Sequence, residues 1–116
     1  MGGDDRIVVK RIEELLDAPA VGDAAPTLAH LEATLTDGYA EALALEAERS
    51  RIDRRLGEVA NTADDRPAAG LAEELAALAS RARSADRELR KLRSLLRRLN
   101  DRARAARRQT IPDLTA

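Results

Sequence analysis

The sequence predicts an all-α protein: a long antiparallel helical hairpin, coiled-coil-like, with a short N-terminal helix, assembled into a dimeric helical bundle. Three observations lead there. Apolar residues recur at alternating spacings of four and three, charge is segregated along the chain, and bulky core-forming side chains are nearly absent. The clearest stretch is 68–106, AAGLAEELAALASRARSADRELRKLRSLLRRLNDRARAA. Here Ala68, Leu71, Leu75, Leu78, Ala82, Ala85, Leu89, Leu92, Leu96, Leu99, Ala103 and Ala106 keep an unbroken a/d heptad register. A helix of 3.6 residues per turn drifts away from a 3.5-residue repeat. A stripe this long therefore implies an equally long partner helix.

Composition agrees. Apolar residues make up 44% of the chain, but phenylalanine, tryptophan and cysteine are missing and Tyr39 is the one aromatic. Alanine buries little surface, so a seam of leucine and alanine suits this material better than a compact globular core. The lack of cysteine excludes disulfides and thiolate-bound metals. The N-terminal MGGDDRIVVKRIEELL is acidic where a secretory signal is basic, and no stretch approaches the ~20 apolar residues of a membrane span. A soluble, cytoplasmic protein without membrane contact is expected.

Taken in order, residues 1–5 are expected to be disordered, and a first helix to run from Asp5 or Arg6 to about Asp17, with Asp4 or Asp5 as its cap. Ile7, Val8, Ile12, Leu15 and Leu16 give it an apolar face. Pro19 and Pro26 bound a small-residue linker in which Gly22 is the expected bend. Thr27, after a proline and before the next apolar rhythm, is the expected N-cap of a second helix running to about Asn61. Its seam positions are Leu28, Leu31, Leu35, Ala42, Leu45, Ile52, Leu56 and Val59, interrupted by Gly38 and Arg49. NTADDRP then stops the helix, and so short a connection makes the flanking helices antiparallel neighbours. Folding there brings Val59 toward Leu71, Leu56 toward Leu75, Ile52 toward Leu78, Gly38 toward Leu92 and Leu31 toward Leu99. The third helix is expected to end near Arg107 or Arg108, with Pro112 barring continuation and Ile111 and Leu114 in the tail. The organisation is thus 1–26, short helix and linker; 27–108, hairpin; 109–116, C-terminal tail.

A lone two-helix hairpin leaves each helix with one covered stripe. Tyr39, Leu43 and Leu95 lie beside the main seam and call for more cover, from the N-terminal helix folding back or from a second copy. A homodimer is favoured.

The net charge of −1 hides a polarity: residues 1–79 hold 8 basic and 17 acidic side chains, residues 80–108 hold 12 basic and 3 acidic. Arginine dominates the basic run and favours planar contacts to carboxylate or phosphate. Arg87, Arg90, Arg93, Arg97, Arg98 and Arg102, with Tyr39 as an exposed anchor, are the candidate binding residues. The acidic residues Glu32, Asp37 and Glu41 of the facing helix, with Glu13, Glu14 and Asp17, can neutralise part of this run, but they are too few to neutralise it all. Arg49, a guanidinium on the seam, must snorkel, find a carboxylate or face a cavity, and Asp53 at i+4 or Asp86 across the hairpin is the expected partner. His30 reads as a surface residue.

No catalytic residues, metal ligands or cofactor are assigned, because no phosphate-binding glycine loop, dinucleotide fingerprint or metal-ligand spacing occurs. The first functional expectation is a non-enzymatic helical interaction module, an adaptor, chaperone or regulatory subunit with a protein partner. The alternative is a regulatory protein that binds nucleic acid, a nucleotide or another anionic ligand through the arginines of 81–108. A third reading is a small all-helical enzyme with Arg49 in its site.

Overall fold

A computed structural model describes residues 3–110 and the side chains of residues 7–109. Three helices follow one another: α1 (Gly3–Asp17), α2 (Leu28–Asn61) and α3 (Ala68–Thr110), with a 3-10 turn at Ala63–Asp65 before α3. The two long helices predicted from the heptads are both present. Helix α1 begins at Gly3, earlier than expected, so residues 3–5 are helical and Asp4 and Asp5 lie inside the helix rather than capping it. Helix α3 continues to Thr110, past the expected end, because nothing in RRQT opposes a helix before Pro112. The expectations for Ile111, Leu114 and the rest of the tail fall outside the described residues.

The local signals read from the sequence have physical counterparts. The Thr27 hydroxyl accepts a hydrogen bond from the His30 N–H at 3.1 Å, and the Thr27 carbonyl accepts one from Leu31 at 3.0 Å, which is an N-cap. Gly22 takes φ of +95°, a left-handed conformation in which a side chain is strained, and its carbonyl accepts from Ala25 at 3.1 Å. At the other end of α2 the Thr62 hydroxyl donates to the carbonyls of Glu58 and Val59, and the Pro67 carbonyl receives the first bond of α3 from Leu71.

The chain divides into two compact units, one formed by Met1–Ala42 with Leu92–Ala116, the other by Leu43–Lys91. The second unit is a two-helix hairpin. Ile52, Val59, Leu78 and Ala82 form its buried cluster, with Leu56, Leu71 and Leu75 packed against it half-buried. The residues expected to pair next to the turn, Val59 with Leu71, Leu56 with Leu75 and Ile52 with Leu78, all belong to this packed group.

The first unit is a three-helix bundle. Its α2 and α3 segments run antiparallel, with Arg107 reaching Glu32 and Gly38 set against Leu96. The α1 segment runs parallel to α3: Ile12 lies by the same Gly38, and the Leu16 carbonyl meets Arg102. Val8, Ile12, Leu15, Leu31, Leu35, Leu92, Leu95, Leu96, Leu99 and Ala103 are buried there. Each large aliphatic side chain so buried contributes about 1.5–3 kcal/mol of transfer free energy, set against the entropy of ordering. Of the two sources of extra cover, the N-terminal helix folding back is the one seen within a single chain. At Gly38 the nearest side chains are those of Leu96 and Ile12 rather than the expected Leu92.

Candidate functional site

The basic residues of α3 divide by what their guanidinium groups do. One set works inside the fold. Arg102 occupies a position flanking the seam, and its Nη1 donates to the Leu16 carbonyl at 2.9 Å while Nη2 donates to those of Ala18 and Pro19 at 3.0 and 3.2 Å. These carbonyls lie at the C-terminal end of α1, where helix geometry leaves acceptors without donors and partial negative charge collects. Arg102, a candidate binding residue by sequence, is thus a clamp on α1. Arg107 pairs with Glu32 at 3.1 Å, and Arg81 pairs with Glu48 at 2.7 Å. Arg93 and Lys91 are also engaged.

A second set faces outward. Arg97, Arg98, Arg104 and Arg108 of the first unit are exposed and have no hydrogen bond or ion pair among the described residues; the same holds for Arg87, Arg90 and Arg83 of the second. Asp37, expected to neutralise this run, is taken instead by Arg11 of α1 at 2.9 Å. The same Arg11 donates to the Thr34 hydroxyl at 3.3 Å, and Thr34 is fully buried. Sequence reasoning missed Thr34. Its only signal is a hydroxyl next to a seam leucine, three residues before an acidic side chain.

Arg49 sits in the second unit with its side chain about one-third exposed. Its Nε donates to Asp86 Oδ1 at 3.0 Å and its Nη1 to Asp53 Oδ1, so both carboxylates expected from the spacing meet it. Around it the hairpin is flanked by further pairs. Glu48 accepts from Arg51 at 2.8 Å and from Arg81, and these two guanidinium groups hold its pKa below the ordinary carboxylate value. Glu74 accepts from Arg66 and Arg55, both at 2.6 Å, with the same effect, while Glu74 and Glu58 raise the pKa of Arg55.

Tyr39 and Leu43 remain open, 49% and 66% exposed. His30 is exposed, as its position outside the seam implies. An open groove of about 320 Å³ in the first unit is lined by Leu16, Arg98, Asp101, Arg102 and Ala105. Among the described residues no group of three or more His, Asp or Glu side chains is placed to hold a metal ion, and no helix is long and apolar enough to cross a membrane. Comparison with protein-family models, curated proteins and solved structures finds no match.

Proposed function

We propose that this chain is a non-enzymatic helical protein–protein interaction module of the cytoplasm, an adaptor, chaperone or regulatory subunit, that homodimerises through the outer face of α2. The observation that carries this reading is the character of that face. An exposed helix ordinarily sets charge opposite its apolar stripe. On α2 the stripe Ala29, Ala33, Thr36 and Ala40 of the first unit is exposed and uncharged, as are Leu43, Ala47 and Ser50 of the second before charge returns at Arg51 and Arg54. Tyr39 and Leu43 add the large apolar groups that anchor helix pairs. A second copy removes this surface from water while the arginines of α3 stay available to another partner. Sedimentation equilibrium at micromolar concentration tests the idea: wild type is expected as a dimer and Leu43→Arg as a monomer of unchanged helicity. A monomeric wild type would overturn the dimer.

The arginines Arg83, Arg87 and Arg90, exposed and without a partner among the described residues, favour a second reading in which α3 binds nucleic acid or another polyanion. That reading demands binding that weakens steeply with salt. Neutralisation of Arg49 by Asp53 and Asp86 supports a structural role for this residue rather than the enzyme reading.

A further inference from the structure

We infer that the groove lined by Leu16, Arg98, Asp101, Arg102 and Ala105, together with Arg97, Arg104 and Arg108 on the adjoining Asp101 stripe of α3, docks an acidic amphipathic helix of a partner protein. This inference rests on the interaction-module reading and names the kind of partner for a face other than the dimer contact. The argument begins with charge. In this unit Arg11, Arg102 and Arg107 all have acceptors inside the fold, while Arg97, Arg98, Arg104 and Arg108 have none among the described residues. Four guanidinium groups within three helical turns repel one another at a cost that an anionic partner relieves.

Shape adds the second half. The groove has two half-buried apolar residues in its lining, Leu16 of α1 and Ala105 of α3, beside Arg98 and Asp101. Arg102, which lines it, is held by the carbonyls of Leu16, Ala18 and Pro19, so the groove wall is fixed by the same contacts that dock α1. An aliphatic side chain fits such a lining, and carboxylates on its α3 side meet Arg98 and the arginines of the Asp101 stripe.

Spacing selects a helix over a nucleic-acid strand. Arg97 and Arg104 are seven residues apart on one face of α3, about 10 Å at 1.5 Å per residue, with Arg108 about 6 Å further on. A partner helix with acidic residues seven apart repeats at the same interval. The Asp101 carboxylate falls between Arg97 and Arg104 on that face. A phosphate strand, charged about every 3.4 Å along each strand of a duplex, would run over it, whereas a helix can place a neutral residue there. The groove lining holds no aromatic side chain as a stacking platform for a nucleobase.

The test uses the full chain and three labelled probes: a helical peptide with glutamates seven residues apart around one leucine, a scrambled peptide of the same composition, and a DNA duplex. Fluorescence anisotropy should show saturable, salt-sensitive binding of the first peptide, at least about tenfold tighter than of the scrambled one. Arg97→Glu with Arg104→Glu should abolish it. Because both residues are exposed, circular dichroism should be unchanged, and a peptide with lysines in place of the glutamates should regain binding to this variant. Equal affinity for the scrambled peptide, or none for either while wild type remains dimeric, overturns the docking helix alone. Tight binding of the duplex with no binding of the peptides overturns both this inference and the interaction-module reading.

Discussion

The two units are made from the same two long helices yet are stabilised differently. In the unit that includes α1, Ile12, Leu92, Leu99 and Ala103 are at most 1% exposed, and guanidinium groups turn inward to a buried hydroxyl and to helix-end carbonyls. In the hairpin unit Leu56, Leu71 and Leu75 stay half-buried, and the arginines line the flanks of the seam in pairs with Glu48, Asp53, Glu74 and Asp86. A third helix covers the second flank of a seam; without one, charged side chains cover it with their aliphatic stems. The difference teaches that a third helix completes the packing of one unit, whereas in the other a two-helix seam around Ile52 and Val59 is bordered by flanking charge that fixes orientation.

The glycines provide the sharpest way to break that contrast. A Cβ on Gly38 would overlap Leu96 Cδ2 and touch Ile12 Cδ1 at 3.4 Å, whereas a Cβ on Gly57 meets nothing within 4 Å. Gly38→Leu should therefore destabilise the protein by about 3 kcal/mol through overpacking, or displace α1. Gly57→Ala should stabilise it by about 0.8–1 kcal/mol through helix propensity alone. Urea denaturation measures both; a tolerated Gly38→Leu would mean that the three-helix packing is loose.

Next in size is the clamp. Arg102→Met keeps the stem of the side chain but removes three donors from the carbonyls of Leu16, Ala18 and Pro19. Water can replace part of what is lost, so a cost of about 1–2 kcal/mol is expected. The distinguishing readout is regional: hydrogen-exchange protection should fall in α1 while that of Leu43–Lys91 holds. Uniform loss across both units would show that α1 is not an independently loosened element.

These same residues mark where the sequence was legible. The leucine–alanine stripe, the Thr27 cap, the Gly22 bend and the carboxylates around Arg49 all depend on neighbours a few residues away or on a period that a partner helix must match. Such relations are written in spacing. The role of Arg102 was not, because its acceptors are backbone carbonyls more than 80 residues distant, and a carbonyl carries no side-chain signature. Thr34 was hidden for a related reason. Its hydrogen bond comes from Arg11 of α1, and a short helix with one apolar face does not state its own register against two others. Of the candidate binding residues, Arg87, Arg90, Arg97 and Arg98 lie on the exposed surface, while Arg93 and Arg102 have contacts within the chain.

The smallest expected effect concerns acid. Glu48 and Glu74 of the hairpin unit have pKa values lowered by hydrogen bonds from Arg51 and Arg81 and from Arg66 and Arg55. A carboxylate whose folded pKa lies below its unfolded value adds stability that is complete above the ordinary value of about 4.3 and disappears as pH falls through the folded one. Thermal midpoints should accordingly be flat from neutral pH down to about 5 and decline below it. Exposed pairs are weak and screened, so the decline should be shallow and should shrink further in high salt. Glu74→Gln should lower stability at neutral pH and flatten the acid limb. The three carbonyl acceptors of Arg102 do not titrate, so exchange protection of the last turn of α1 should outlast that of residues 48–81 on acidification. If the turn of α1 opened first, the ion pairs of the three-helix unit would be contributing more than its packing, and the division between the two units would fail.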